Sequence, residues 1–416
     1  MAILDDLKLL TRPQWNAVIA SYLGWTLDAF DFFILVFVLG DIAKEFNVPN
    51  SAVADTLFWT LFMRPFGAFI FGWAADRWGR RPVLMIDVAF YSVVEFLCGF
   101  APSLTVLLIL RALYGIAMGG EWGVGASLTM ETIPARSRGI VSGILQAGYP
   151  SGYLLAAILF GVLHGTIGWR GMFMVGVLPA LLVLFIRRNV EESPSWGQME
   201  RKKGQFWETL KVHWPLAVFV IVLMTAFNAF SHGTQDLYPS LFLKGQHGFS
   251  DATVGTIAVV YNIGAIIGGL TFGSISQRVG RKWAIIAAGI LTLPIIPLWA
   301  FSKSPFMLGL GAFLIQFFVQ GAWGIVPAHL NELSPDQVRA TFPGFTYQLG
   351  NLFASKNGNI QASLAERWGN NVGLSLAVTV TIITIAVIII SAFSPERRNV
   401  KFGEKPAGPL GFAEPL

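Results

Sequence analysis

Apolar stretches of about 20 residues, the length an α-helix needs to cross the hydrocarbon core of a bilayer, recur along this chain. Twelve are predicted, at roughly 17–40, 53–75, 83–101, 103–129, 139–163, 169–188, 214–243, 252–276, 283–302, 305–330, 341–365 and 371–393, here spans 1 to 12. Gly and Pro interrupt several of them. The short, strictly alternating segments of a membrane β-barrel are missing from the pattern. Polar residues gather between the spans, above all in 189–213, NVEESPSWGQMERKKGQFWETLKVH. The pattern predicts an all-α integral membrane protein.

Composition agrees. Of 416 residues, 54% are hydrophobic and 13% charged, where a soluble domain carries about 25% charged residues. The 29 Lys and Arg residues crowd the loops that an even number of spans places beside both termini. Among them are Arg187, Arg188, the run Arg201–Lys203 and Lys405; the opposite loops hold few, such as Lys44, Arg170 and Lys303. By the positive-inside rule both termini are expected in the cytoplasm, in a multi-pass protein of the cell (inner) membrane. The net charge of +5 is then a product of topology, and nucleic acid is not expected as a partner. A single cysteine, Cys98, makes no internal disulfide. Two acids ahead of any apolar run in MAILDDLKLL argue against a secretory signal.

The chain repeats itself at one offset. GWAADRWGRR, from Gly72, recurs 201 residues later as GSISQRVGRK, from Gly273; the same offset carries ETIPARSRG, from Glu131, onto ELSPDQVRA, from Glu332, and Trp122–Gly123 onto Trp323–Gly324. Two related bundles of six helices are expected, 1–188 and 214–393, joined by a linker at 189–213 and followed by a tail at 394–416. Rocking of two such halves about a site at mid-membrane is the motion expected of parallel-repeat transporters.

The loop between spans 2 and 3, Gly-x-x-x-Asp-Arg-x-Gly-Arg-Arg, resembles the signature loop of the major facilitator superfamily. That resemblance implies the major facilitator fold of 12 transmembrane helices. Asp76, Arg77, Arg80, Arg81, Glu131 and Arg138 in the first half, and Arg278, Arg281, Glu332 and Arg339 in the second, are expected to form a cytoplasmic gate of ion pairs that make and break. Gln277 replaces Asp76 in the second copy, so its side of the gate is expected to be weaker.

Ionisable side chains inside a bilayer are costly and call for a functional explanation. Asp28, Asp31, Arg64, Glu95, Arg111, Glu121, His232, Asp236 and Lys356 fall inside predicted spans. Asp31 and Arg111 both lie roughly 12–14 Å below the outer surface at 1.5 Å per residue, so an Asp31–Arg111 pair is expected, and Asp28 shares a face with Asp31. The 201-residue offset maps Asp31 onto His232, and both are expected to face a central cavity. On span 7, Asn228, His232, Gln235 and Asp236 follow helical spacing and share one stripe, which cannot face lipid. It faces water, a ligand or other helices; a purely structural hydrogen-bond cluster is the alternative.

Asn-Ala-Phe-Ser-His-Gly-Thr-Gln-Asp, residues 228–236, is similar to the span-7 signature of the fungal lactate permeases in the sialate:proton symporter family. WTLDAFDFF and RPFGAFIFGWAADRWGRR are also similar to that family. The resemblance implies roles for Asn228, His232, Gln235 and Asp236 in substrate or proton handling. Arg111, 20 residues before Glu131, also resembles the span-4 arginine of sugar:proton symporters, which pairs with a proton-binding aspartate on span 1. The sugar-binding pattern of span 7 is not evident.

Asp31 is therefore expected to carry the proton, with Asp28, Arg111 and the pair His232 and Asp236 involved in coupling. Arg64 is the leading clamp for an anionic substrate, with Arg111 and Lys356 as rivals, because arginine grips carboxylates bidentately. Tyr347, Gln348, Asn351 and Asn357 on span 11 are expected to add polar groups to the cavity. Proton-coupled symport of a small monocarboxylate such as lactate or pyruvate is the expected function. Symport of a larger organic acid, sialic or aromatic, and a transporter-like nutrient sensor are the alternatives. No P-loop, nucleophile elbow or metal-ligand cluster occurs, so no enzyme activity, cofactor or metal is expected. The expected partners are a small organic anion, protons and the bilayer, and the chain is expected to be monomeric.

Overall fold

A computed structural model of the chain describes residues 2–198 and 205–403. The basic run Arg201–Lys203, Lys405 and the rest of the tail lie outside the described residues. Span 1 is the helix Arg12–Phe46, span 2 Asn50–Trp78, span 3 Arg80–Cys98 and span 4 Leu104–Thr132. Span 5 begins as Arg138–Gln146 and continues into Gly148–Val175, whose path reverses at Gly168 (φ 62°, ψ −177°). Span 6 follows that reversal and ends as Ala180–Asn189. In the second half, span 7 is Trp214–Gln235 running into the wider π-type turns Tyr238–Gln246. Span 8 is Asp251–Val279; span 9 is Arg281–Thr292 with Ile296–Phe301; span 10 is Pro305–Trp323 with Val326–Leu333. Span 11 is Thr341–Ala354 with Asn357–Arg367, and span 12 is Val372–Ala392. The interruptions of spans 7, 9 and 10 sit beside Pro239, Pro294 with Pro297, and Pro327, where a missing N–H breaks the helical ladder.

Eight helical segments are by themselves long and apolar enough to cross a membrane. Spans 1, 3 and 11 are not among them. They carry Asp28 and Asp31, Asp87 and Glu95, and Lys356 respectively, so the charges that lower their hydropathy are the ones that need explaining. Phe58, Phe66, Ile86, Val162, Leu181, Phe306, Ile382 and other large apolar side chains are exposed on the outer surface, as lipid-facing positions are.

Within the first half, spans 2 and 4 pack backbone to backbone. A Cβ on Gly115 would lie 2.2 Å from the carbonyl oxygen of Thr60, and one on Gly119 would lie 2.0 Å from that of Arg64. Small residues allow this approach, and it fixes the stretch of span 2 that carries Arg64. The halves meet along spans 2 and 11 and along spans 5 and 8. The seam is closed at the end where both chain termini pack: a Cβ on Gly139 would meet the Gly273 carbonyl at 2.5 Å, and one on Gly72 the Thr341 Cα at 2.5 Å. That end is called the terminal face here, and the opposite end the far face.

Candidate functional site

A cavity of about 490 Å³ lies between the halves, beyond the closed seam. Span 7 supplies Asn228, Ser231, His232, Gln235 and Asp236 to its wall, so the predicted stripe does look into a shared hollow. His232 Nδ1 lies 3.1 Å from Asp236 Oδ1, and Asn351 of span 11 interacts with the same ring. Gln235 donates to Gln316 Oε1 at 2.8 Å, Gln316 donates to Thr234 Oγ1 at 2.9 Å, and Gln320 donates to Ser231 Oγ at 2.8 Å. Asn228 donates to the Met224 carbonyl at 2.7 Å. The second-half wall is therefore a hydrogen-bonded sheet of amides and hydroxyls.

The facing wall is aromatic. Trp25 and Tyr149 lie 5.5 Å apart by ring centroids, and Phe33 and Tyr153 4.9 Å apart. Trp122, Tyr347 and Trp323 close the floor, with centroids 4.9 Å and 5.4 Å from Tyr347. Arg64 enters this wall from span 2. It is only 4% exposed, and its guanidinium carbon lies 5.9 Å from the Tyr347 ring centre. Among the described residues its Nε and Nη2 have no hydrogen-bond partner. A buried guanidinium with unused N–H groups beside a cavity is a ready acceptor of a carboxylate.

Asp28 and Asp31 stand elsewhere. Both are fully buried, on the side of span 1 that faces the interior of the first half rather than the cavity, which is lined by Trp25, Phe32, Phe33, Val36 and Phe37 of that span. The expected Asp31–Arg111 ion pair is not formed. Arg111 donates instead to Glu95 Oε2 of span 3 at 2.5 Å, with its guanidinium 4.0 Å from the Tyr114 ring. Neither carboxyl oxygen of Asp31 has a partner among the described residues. Tyr114 donates to Asp28 Oδ1 at 3.2 Å. Asp87 and Glu121 are buried nearby, also with unpartnered oxygens. Depth gave the right level for Asp31 and Arg111, but Glu95 comes from a third helix at the same level and takes the arginine. Arg111, engaged in this interior pair, is also no part of the cavity wall. Lys356 is a further correction. It lies exposed on an outer groove of span 11 with Asn359, Ser363 and Arg367, one residue and so about 100° around the helix from buried Asn357.

At the terminal face the two halves are latched by matched ion pairs. Arg80 binds Glu131 through two bonds of 2.9 and 3.1 Å, and Arg281 binds Glu332 through two of 2.9 Å. Across the seam Arg339 reaches Glu131 at 3.5 Å and Arg138 reaches Glu332 at 3.8 Å. Burial pushes the Arg339 guanidinium down to about 10, against the pull of Glu131. Asp76 accepts from the Ala340 and Thr341 N–H groups at 2.9 and 3.0 Å and from the Thr341 hydroxyl at 2.6 Å, so it caps the start of span 11 from the other half. Its counterpart Gln277 accepts one bond across the seam, from Gly139 N–H at 3.2 Å, and one from Arg281 of its own half at 2.7 Å. Arg77 and Arg278 lie on exposed faces, and Arg81 donates to the Arg187 carbonyl.

A family model described as Major Facilitator Superfamily matches residues 21–238, just over half of the chain. This chain belongs to that superfamily. A model described as Sugar (and other) transporter matches residues 216–398. The chain is similar to the carboxylic acid transporter protein homolog of Saccharomyces cerevisiae, 29% identical over 397 residues. That match takes in 88% of this chain and 64% of the relative, so the chain spans just under two thirds of the yeast protein's length. It is also similar to the sialic acid transporter NanX of Escherichia coli, 28% identical over 392 residues that cover 92% of this chain and 94% of that one. Among solved structures, the proton:xylose symporter XylE bound to 6-bromo-6-deoxy-D-glucose matches with a TM-score of 0.76 at 18% identity, over 94% of this chain and 98% of that one. At that identity the likeness is one of fold, the major facilitator fold expected from the signature loop.

Several residues of this superfamily member escaped the sequence reading. Glu192 and Glu396, each just after the last span of its half, accept backbone N–H groups at the start of spans 3 and 9. Their signal is present in the chain as two Glu residues beside Ser-Pro, EESP and SPER. Phe402 of the tail lies under the Arg138 and Arg339 guanidiniums at 3.6 and 3.8 Å, while Arg138 donates to the Val400 carbonyl at 2.7 Å. The cavity amides Gln146, Asn262 and Gln320 are isolated polar residues in apolar runs, visible only as interruptions.

Proposed function

We propose that this chain is a proton-coupled symporter of an organic monocarboxylate that works by alternating access between its two halves. The observation that carries the reading is Arg64, a buried guanidinium on the cavity wall whose Nε and Nη2 are unpartnered among the described residues. Burying guanidinium N–H groups without acceptors is costly, and a substrate carboxylate supplies acceptors that the Tyr347 hydroxyl and the charge of nearby Asp28 leave unfilled. The relatives' names speak of a carboxylic acid and of sialic acid, and both kinds of cargo bear that group. In the state described here the terminal-face pairs hold the seam shut, so the cavity belongs to a form closed at the terminal face. The Lys and Arg asymmetry of the loops makes that face cytoplasmic.

For the proton we retain Asp31 as carrier, with a changed mechanism. Arg111 is held by Glu95, and Asp31 stands beside that pair without a partner among the described residues. The two acids compete for one guanidinium. A proton arriving on either lets Arg111 turn to the other, and the helices that carry them, spans 1, 3 and 4, shift with it. His232 and Asp236 on the cavity wall are the second titratable pair and the one a substrate touches.

Arg64→Gln tests the reading. Removing a charge-assisted bidentate contact is expected to weaken carboxylate binding by roughly ten- to a hundredfold, measured as displacement of a labelled acid from the purified protein. An unchanged affinity for every carboxylate tried would remove the clamp from this account.

A further inference from the structure

The chain beyond span 12 ties the two halves together at the terminal face. It first keeps to its own half. Ser394 Oγ lies 2.8 Å from His329 Nε2, Glu396 accepts from the Lys282 N–H at 3.1 Å, and Arg398 donates to the Gln277 carbonyl at 3.3 Å. At Asn399 the backbone turns through the left-handed region (φ 71°), which asparagine tolerates better than most residues. Gln277 Nε2 donates to the Asn399 side chain there at 2.8 Å. Past that turn the chain reaches the first half. The Val400 carbonyl accepts from Arg138 at 2.7 Å, and Phe402 packs on the apolar cluster that includes Leu10, Val18 and Ile140. Gly403 then comes against Ser195 of the linker. That stretch of linker is itself seated on the first half: Ser193 donates to Glu131, and the Trp196 indole donates to the Asp76 carbonyl at 3.1 Å.

We infer that residues 399–403 form a strap across the closed terminal face. Gln277 anchors it on the second half, it grips the first half through Arg138 and the linker, and that grip breaks before this face opens. The inference rests on the reading that the two halves rock, and not on the identity of the cargo.

The strap sits on the gate itself. Arg138 and Arg339 are the arginines whose ion pairs cross the seam, to Glu332 and Glu131. The Phe402 ring lies 3.6 Å from the first guanidinium and 3.8 Å from the second. One ring face thus favours two like charges standing together, an arrangement that lasts only while the halves are closed. Its reach is short. Three peptide steps lead from Asn399 to Phe402, roughly 10 Å when fully extended, so the strap cannot hold both halves once they part by more than that. The repeat shows the crossing to be a feature of the second copy. The offset of 201 carries Ser193–Pro194 onto Ser394–Pro395. The segment after the first pair stays against Glu131 and Asp76 of its own half, whereas the segment after the second crosses to Arg138.

The test needs no substrate. Ser142 is buried at the seam, its hydroxyl accepting from the Ala328 N–H at 3.0 Å. In the purified full-length protein in lipid nanodiscs, labelling of Ser142→Cys by a maleimide, followed by mass spectrometry, reads opening of the terminal face. Phe402→Ala is expected to raise that rate about fivefold, and by less than Asp76→Ala does. A Cβ on Gly403 would lie 4.0 Å from Ser195 Cβ, within the span of a disulfide. Ser195→Cys with Gly403→Cys is therefore expected to oxidise and to abolish labelling at position 142, and labelling should return once dithiothreitol has reduced the bond and been removed. The left-handed backbone at Gly403 (φ 82°) strains any side chain, so the reduced form of the same variant is the reference. A pair that fails to oxidise, labelling at an equal rate with the disulfide intact, or an unchanged rate in Phe402→Ala would overturn the strap. Asp76→Ala loosens the seam without touching the tail. A rise for Asp76→Ala alone would therefore sink the strap and leave the rocking of the halves standing, whereas no rise in any variant would sink both.

Discussion

Arg80 lies on Glu131 in the first half as Arg281 lies on Glu332 in the second, with the same 2.9 Å closest contact. Behind these matched pairs the halves diverge. The first half buries Asp28, Asp31, Asp87, Glu95 and Glu121 among its helices and gives them little but Arg111, Tyr114 and the charge of Arg64 as partners. The second half buries mostly amides and hydroxyls, several of which pair: Gln316 with Thr234, and Gln361 with Thr379 at 2.8 Å and with the Gly233 carbonyl at 3.0 Å, while buried Gln348 has no partner among the described residues. The difference teaches a division of labour. Among the described residues most interior acids lie in the first half, so it is the half expected to respond most to protons; the second half adds the buried His329, bonded to Ser394 at 2.8 Å. The second half offers a neutral, pre-ordered wall for the substrate, with His232 and Asp236 as its titratable exception.

Removing one ion from the first-half interior should produce the largest effect. Arg111→Leu leaves Glu95 buried without a counter-ion and is expected to cost about 3–5 kcal/mol of stability. The melting temperature in detergent checks it, and Arg111→Leu with Glu95→Leu should recover most of the loss. Gln316→Leu in the second half removes only neutral bonds and should cost about 1–3 kcal/mol. Equal losses from the two substitutions would erase the contrast between the interiors.

Next in size are the unequal caps across the seam. Across the seam, Asp76→Ala removes charge-assisted bonds from two N–H groups and a hydroxyl, worth about 1.5–3 kcal/mol, whereas Gln277→Ala removes one neutral bond there, worth about 0.5–1.5 kcal/mol. The labelling rate of a cysteine introduced in the seam, read with a thiol reagent, should rise more for the first variant. The tail comes after them. Phe402→Ala removes two cation–π contacts of about 0.5–1 kcal/mol each and should raise the same labelling rate by a smaller factor.

The smallest effect is expected at the far end of span 1. The Arg170 guanidinium, bonded to Glu45 at 2.7 and 3.0 Å, holds that carboxyl below its ordinary value. A depressed carboxyl adds stability above its unfolded value and loses it as pH falls through the folded one. Glu45→Gln should therefore lower the melting temperature slightly at pH 7, and the difference should fade as pH falls through the lowered range of the folded carboxyl. The pair is solvent-exposed, and salt should weaken the effect further.

The gate was legible in the chain because its chemistry is local and written twice. Glu131 and Arg80 recur at one offset as Glu332 and Arg281, and the exchange of Asp76 for Gln277 goes with fewer bonds accepted across the seam. The span-7 stripe was legible because four polar residues at helical spacing must share a face. What depth and spacing could not supply was azimuth. Asp31 was placed at the right level yet on the wrong side of its helix, since a polar face turned toward a cavity and one turned toward a bundle interior read alike. The same ambiguity put Lys356 into the cavity. Glu95 was visible as a charge in span 3, but choosing it over Asp31 as the partner of Arg111 requires knowing that spans 3 and 4 pack face to face.

Uptake of labelled lactate and N-acetylneuraminate into proteoliposomes, run with a proton gradient and then as exchange without one, tests the separation of proton from substrate most directly. Asp31→Asn is predicted to exchange substrate across the membrane while failing to concentrate it, and Arg64→Gln to lose both activities. Accumulation by Asp31→Asn at the wild-type level would contradict the assignment of the proton to the first-half interior.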